Sequence, residues 1–245
     1  MRRFASVSTS KNNSTVKAMI LAAGRGNRLR PITDSIPKPL VELCGKPLIE
    51  YHIEKLAQAG VSQIVINHAW LGHKLEETLG DGSRWNIQIS YSAEPEGGLE
   101  TAGGIINALP LLGENPFLLI NGDVYCEMDY RGLVAKARAM QNESSSTLLG
   151  HLVVVPSPEH NAKGDFGLNQ HQRLEPQGEF TFAGLSVLSP KLFANMEVGF
   201  IPLAPILRDA MKQGLLTGEL ETGLWSDIGT LQRLQQTERL LEQSN

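Results

Sequence analysis

The sequence predicts an α/β protein built on a doubly wound, mostly parallel sheet, and three observations predict it. Residues 16–23, "VKAMILAA", form a short, almost wholly apolar run closed by Gly24, as expected of a strand buried on both faces of a parallel sheet. Further along, short apolar or alternating runs take turns with amphipathic helical segments, an order that places helices over both faces of one sheet. The 245 residues are 41% hydrophobic and 20% charged, an ordinary balance for one globular α/β domain.

Each element follows from its local pattern. "PLIEYHIEKLAQAG" sets Leu48, Ile49, Ile53, Leu56 and Ala57 along one helical face and stops at Gly60. "QIVINHA" is a short strand, "LGHKLEETLG" a helix, "IQISYS" an alternating strand, "TAGGIINALPLL" a helix and "PFLLING" a buried strand. "YRGLVAKARAMQ" supplies another amphipathic helix, and the polar "NESSST" after it marks a boundary near residue 147. From residue 148 the strands "LLGHLVVVP", "FGLNQ" and "FTFAGLSVL" are separated by turn-rich stretches, which reads as a small β-rich insertion. The helix "PLAPILRDAMKQG", a strand-like "GLWSDIG" and the helix "TLQRLQQTERLLEQ" follow. Residues 1–15 lack apolar patterning and are expected to be a disordered tail, leaving 16–245 as a single domain.

Composition narrows the partners. A net charge of −4 argues against nucleic acid or an anionic membrane, both of which favour clustered basic surface. No apolar run approaches the roughly 18 residues needed to span a bilayer. Cys44 and Cys126 are too few and too isolated for a disulfide framework or a cysteine zinc site, and are expected to be reduced core or near-core residues of a cytoplasmic protein.

The stretch "ILAAGRGNRLRPITDSIPKPL", residues 20–40, leaves the first strand with Gly24 and Gly26, the cations Arg25, Arg28, Arg30 and Lys38, and a single acid. Glycines let the backbone approach an anion, and the C-terminal edge of a parallel strand is where α/β sheets bind ligands. The segment therefore calls for phosphate. Leu29 stands where the dinucleotide fingerprint needs a third small residue, and no G-x-x-x-x-G-K-[ST] pattern follows either glycine. Pro37 and Pro39 restrict the backbone around Lys38, which lowers the cost of ordering that cation against a phosphate.

"LAAGRGNRLRPITDSIPKPLVELCGKPLI" resembles the signature of the sugar-phosphate nucleotidyltransferases, and the likeness continues through "INHAWLG", "LETAGGI", "NGDV", "GDF", "FAGLSVL" and "WSDIGT". The resemblance implies a Rossmann-like, GT-A-like fold with a nucleotide-binding part over about 16–147 and a sugar-binding part over about 148–230. Within the family it points to the uridylyltransferases of muramate recycling, and so to UTP and N-acetylmuramate 1-phosphate as substrates. Arg28 would hold the β,γ-phosphates, Lys38 the α-phosphate, and Asp123 and Asp227 a Mg²⁺ ion. Ala22, Ala23, Gly24, Gly26, Asn67, Glu100, Thr101 and Gly103 would hold the nucleotide, and Asn121, Asp165 and Gly184 the sugar. Residue chemistry agrees, since joining two polyanions requires charge neutralisation, commonly by Mg²⁺ on carboxylates. The competing functions are a nucleotidyltransferase for glucose or mannose 1-phosphate and a catalytically silent regulator that binds sugar nucleotide. The competing local readings are Asp165 as a turn residue beside Gly164, Thr101 as a plain helix cap, His68 as structural, and Arg25 and Arg30 as solvated cations. No other small-molecule cofactor is called for, and a monomer is compatible with this reading.

Overall fold

The computed structural model describes residues 15–143 and 147–243, so the expected N-terminal tail lies, except for Thr15, outside the described residues. In chain order the elements are β1 (Lys17–Leu21), α1 (Ile32–Ser35), β2 (Glu42–Leu43), β3 (Lys46–Pro47), α2 (Leu48–Gln58), β4 (Gln63–His68), α3 (Gly72–Leu79), β5 (Gln88–Ala93), α4 (Glu100–Leu112) and β6 (Phe117–Asn121). There follow β7 (Val124–Cys126), α5 (Arg131–Asn142), β8 (Gly150–Pro156), β9 (Phe166–Leu168), β10 (Leu174–Leu188), α6 (Leu203–Lys212), β11 (Leu216–Leu220), β12 (Trp225–Asp227) and α7 (Leu231–Gln243). Among the described residues no helix is long and apolar enough to cross a membrane.

The main sheet runs β11-β8-β10-β6-β1-β4-β5, with β9 paired to β10 at one side. Strands β6, β1, β4 and β5 are parallel, β10 is antiparallel to both β6 and β8, and β11 returns parallel to β8. Alternation along β1 explains the two-sided burial. Ala18 and Ile20 face the layer of α2, α3 and α5, with Ile53, Leu75 and Val134, whereas Met19 faces that of α4 and α6, with Ile105 and Leu207. The chain steps outward from β1 through β4 to β5, then returns to the other side of β1 as β6. The strand order thus reverses between β1 and β6, and it is at the C-terminal edge of such a switch point that α/β sheets open a crevice.

The β-rich part after residue 148 shares this sheet, with β8, β10 and β11 extending it beyond β6. Strand β10 is longer than "FTFAGLSVL" suggests, because "LEPQGE" belongs to it despite Pro176 and Gly178, and it slips register between Phe182 and Ser186. Strand β11, "LTGEL", had no strand pattern to announce it, since Gly218 and Glu219 interrupt the apolar run. The near-core expectation for Cys44 is corrected: it sits exposed at positive φ in the β2–β3 turn, where no packed layer covers it, whereas Cys126 is buried as expected.

A third apolar cluster supports the crevice from below. Leu29, Val41, Leu43 and Leu48 of the phosphate loop and its sequel pack with Tyr125, Ile228 and Leu234, so the loop shares a core with the β7–β12 ribbon. Beside that ribbon His52 is wholly enclosed, its Nδ1 2.7 Å from Tyr130 Oη and its Nε2 2.8 Å from the Val124 carbonyl. Burial disfavours the charged ring and pushes its pKa down to about 4.

Below pH 6.5 the unfolded chain protonates His52 while the folded chain does not, so stability from this group is full above that pH and falls towards about pH 4. The loss should reach about 3 kcal/mol. Urea denaturation of wild type and His52→Gln between pH 7.5 and 4.5 checks this, with the variant expected to show a flatter pH profile.

Candidate active site

Three parallel strands are tied together at their C-terminal ends by two side chains. Asn67, the penultimate residue of β4 and almost fully buried, accepts the Ala22 N–H at 2.9 Å on Oδ1 and donates from Nδ2 to Glu94 Oε1 at 2.6 Å. Glu94 follows β5 and accepts the Leu99 N–H at 2.8 Å on its other oxygen. This chain fixes both the turn out of β1 and the 94–99 loop that enters α4. Gly104 on α4 is required for it, because a Cβ there would lie 2.3 Å from Glu94 Oε1.

The crevice above is a cleft of ≈ 640 Å³. Ala22, Ala23, Gly24 and Asn67 form one wall, Glu100 and Thr101 at the start of α4 another, and Lys38, Asn121 and Asp123 the floor. Glu100 begins α4 at φ 60, a left-handed conformation that turns the chain sharply into the helix. Past Thr101, the N–H groups of Ala102 and Gly103 bond the Ile201 carbonyl at 2.9 and 3.1 Å, so the helix start meets the cleft through Leu99, Glu100 and Thr101. Gly103 packs instead against the Gly199 carbonyl.

Lys38 sits in a single helical turn, residues 38–40, between the two prolines. Its side chain is 9% exposed, and its ammonium forms an ion pair with Asp123, which stands in the β6–β7 turn with 38% of its side chain exposed. Gly26 closes the loop over the Lys38 stem, and its carbonyl accepts a hydrogen bond from Thr33 Oγ1 at 2.8 Å. Arg25, expected to be merely solvated, lines the cleft with its guanidinium 3.3 Å above the Trp70 ring. Trp70 is anchored by Nε1 to the Thr33 carbonyl at 3.1 Å. Arg30 lies outside the cleft beside Asp34, at 3.1 Å.

Asp227 and Arg28 lie next to this floor without lining the cleft. Strand β12 pairs antiparallel with β7, and the Ile228 N–H bonds the Asp123 carbonyl at 2.8 Å, so the backbones carrying the two aspartates are joined. Both Asp227 oxygens accept from Arg233 Nη1 at 2.8 Å, and His160 Nε2 lies 3.0 Å from Oδ1. Arg28 is exposed and reaches towards Gly229, just past Asp227.

The sugar-side residues divide. Asn121 lines the cleft, and Gly184 on β10 stands directly behind it, where a Cβ would lie 2.8 Å from the Asn121 amide. Asp165 does not line the cleft: its Oδ2 accepts the Phe182 N–H at 3.0 Å and its Oδ1 accepts from Asn161 Nδ2 at 3.2 Å. His68 is buried, 2.8 Å from Glu76 and directly against Gly72, which is a structural position.

Among the described residues no three His, Cys, Asp or Glu side chains converge as a ready-made metal cage. Two hard carboxylates on bonded backbones fit instead a cation that takes its remaining ligands from phosphate oxygens and water. A sequence profile described as nucleotidyl transferase matches residues 17–171. The chain belongs to this family. Among curated nucleotidyl transferases it is 48% identical over 230 residues to the N-acetylmuramate alpha-1-phosphate uridylyltransferase of Neisseria meningitidis serogroup B, covering 92% of this chain and 98% of that protein. It is 32% identical to a mannose-1-phosphate guanyltransferase of Hypocrea jecorina, covering 87% of this chain and 61% of the longer relative. A solved UDP-glucose pyrophosphorylase complexed with UDP-glucose shares the nucleotidyl transferase fold at TM-score 0.74 and 17% identity, over 95% of this chain and 100% of that one.

The family-like motifs pointed to Lys38 and Asp123, but several cleft-lining residues were missed, among them Glu94, Trp70 and Phe200. Glu94 lay in "AEPEGG" beside an equally plausible Glu96, and only the glycines of "TAGGI" hinted that a helix start makes room for a neighbour. Trp70 and Phe200 were single aromatics without a pattern, and Phe200 stands 70% exposed at the cleft rim. Outside the cleft, Arg233 was not singled out, because nothing in "TLQRLQQTERLLEQ" separates it from an ordinary helical cation.

Glu94→Ala should strand the buried Asn67 amide and the Leu99 N–H, destabilising the fold by about 2 kcal/mol. It should also weaken nucleotide binding about tenfold or more by loosening the turns after β1 and before α4. Thermal denaturation and nucleotide titration check the two parts, and a Glu94→Ala protein that melts lower but binds nucleotide as tightly as wild type would confine Glu94 to stability.

Proposed function

We propose that this nucleotidyl transferase moves a uridylyl group from UTP to N-acetylmuramate 1-phosphate, releasing pyrophosphate and forming UDP-N-acetylmuramate for peptidoglycan recycling. The single observation that carries the acceptor and base is the 48% identity to the Neisseria meningitidis uridylyltransferase across almost the full length of both proteins. The 32% identity to the Hypocrea jecorina guanyltransferase supports only the wider class. The compartment we assign is the cytoplasm, where UTP is available.

In this reading the base and ribose enter between the residue 22–24 turn and the exposed tip of α4 at Glu100 and Thr101. Asn121, supported by Gly184, faces the acceptor sugar, and Asp165 holds Phe182 on the strand that carries Gly184. Mg²⁺, when bound by Asp123 and Asp227, would neutralise phosphate charge and orient the triphosphate. Lys38 leaves Asp123 for the α-phosphate, where negative charge builds up during in-line attack by the sugar-phosphate oxygen. Arg28 takes the β,γ-phosphates that depart as pyrophosphate. No covalent enzyme intermediate is needed, because the acceptor phosphate is itself the nucleophile. Catalysis then consists of positioning and charge stabilisation.

Incubation with UTP, Mg²⁺ and a panel of muramate, glucosamine, glucose and mannose 1-phosphates, with mass analysis of products, tests the assignment. UDP-N-acetylmuramate should dominate, and strong preference for glucose 1-phosphate would overturn the acceptor. Asp123→Asn and Asp227→Asn should each lower turnover by about two orders of magnitude. Lys38→Ala should lower kcat more than it raises KM for UTP, as expected of a cation that matters most where charge develops.

A further inference from the structure

Both aspartates beside the cleft are already neutralised by cations of the chain itself. Lys38 is on Asp123, and Arg233 is on both oxygens of Asp227 at 2.8 Å. The Arg233 side chain is 13% exposed and threads past Gly229, where a Cβ would lie 2.1 Å from its Nη2. The same imagined Cβ would lie 3.2 Å from Arg28 Nη2, so two guanidinium groups meet at one glycine. Arg233 Nε is buried and lacks a hydrogen-bond partner, which leaves one donor unmet while the group stays on Asp227.

We propose that Arg233 is a positioning residue that occupies Asp227 as a resident counter-ion and makes metal binding conditional on the nucleotide. This rests on the reading of Asp227 as a metal-binding carboxylate. With Lys38 and Arg233 in place the two carboxylates carry no net charge, and a free dication entering there meets two fixed positive groups at close range. The attraction that holds a divalent ion on two bare carboxylates is therefore absent. A triphosphate brings several negative charges, gives Lys38 and the Arg28–Arg233 pair new acceptors, and so uncovers both carboxylates for the ion that accompanies it. Gly229 is the hinge of the arrangement because only a residue without a side chain lets Arg233 reach Asp227. His160 Nε2 also lies 3.0 Å from Asp227 Oδ1, the oxygen that Arg233 shares with it.

Mn²⁺ binding followed by electron paramagnetic resonance, with and without a non-hydrolysable UTP analogue, tests the proposal on the full chain. Nucleotide-free wild type should bind Mn²⁺ weakly and tighten strongly when the analogue is added. Arg233→Met should bind Mn²⁺ roughly tenfold or more tightly than wild type without nucleotide, from the loss of one facing charge, and the gap should shrink with the analogue present. Gly229→Ala, which displaces Arg233 without removing its charge, should move nucleotide-free affinity in the same direction. Its melting curve provides a folded control should Arg233→Met be unstable. A merely structural Arg233 would lower the melting temperature and leave the nucleotide dependence of Mn²⁺ binding as in wild type, and that result overturns the proposal. If Asp227→Asn binds Mn²⁺ in the analogue complex as tightly as wild type, the metal-ligand reading of Asp227 falls, and the proposal with it. If Asp227→Asn weakens that binding while both other variants match wild type without nucleotide, only the counter-ion role is lost.

Discussion

The cleft depends on one buried amide. Asn67 must satisfy its own donor and acceptor where no water reaches it, and it does so on the backbone of β1 and the carboxylate of Glu94. An unmet amide in such a place costs on the order of 1–3 kcal/mol, so the folded state selects the one arrangement that completes the chain. That arrangement sets the spacing of three strand ends, and the loops leaving them inherit their positions from it. The glycine turn and the start of α4 face each other because Asn67 and Glu94 hold their roots.

Charge in the cleft is managed in pairs rather than as a basic surface. Lys38 is nearly buried, and burying an ammonium alone would be prohibitive, so its position beside Asp123 is a condition of folding as much as of chemistry. The prolines on either side limit the alternatives available to its backbone. Arg25 reaches its place differently, held over the face of Trp70 with a looser ion pair to Asp34 at 3.9 Å. A net charge of −4 for the whole chain is compatible with this, because the cations that matter are few and local.

How much of this the sequence disclosed follows from the kind of signal each residue gives. The two-sided apolar run of β1, the helical face of Leu48, Ile49, Ile53 and Leu56, and the proline-flanked Lys38 are local patterns, and local patterns survive without knowledge of the fold. Glu94 and Arg233 act through partners 27 and 6 positions away on other elements, and nothing in their immediate surroundings distinguishes them from solvated charges. Strand β10 was foreshortened because Pro176 and Gly178 are turn residues by intrinsic preference, and pairing with β9 and β8 overrode that preference. Cys44 was placed near the core because an isolated free cysteine is usually buried, and its neighbour Leu43 does point inward, but the turn carries Cys44 out.

Strand β10 also determines how the molecule can move. Over 15 residues it pairs with β9, β8 and β6 in succession, and β6 ends in Asn121. Among the described residues the β-rich part and the strand that carries Asn121 are therefore clamped by a single continuous strand. A jaw-like closure of two halves would have to break this pairing, whereas the residue 24–26 turn, the 94–99 loop and the exposed Phe200 lie outside the strands. A strand shared in this way acts as an anvil, so a shift in the β-rich part reaches Asn121 through hydrogen bonds rather than across a hinge.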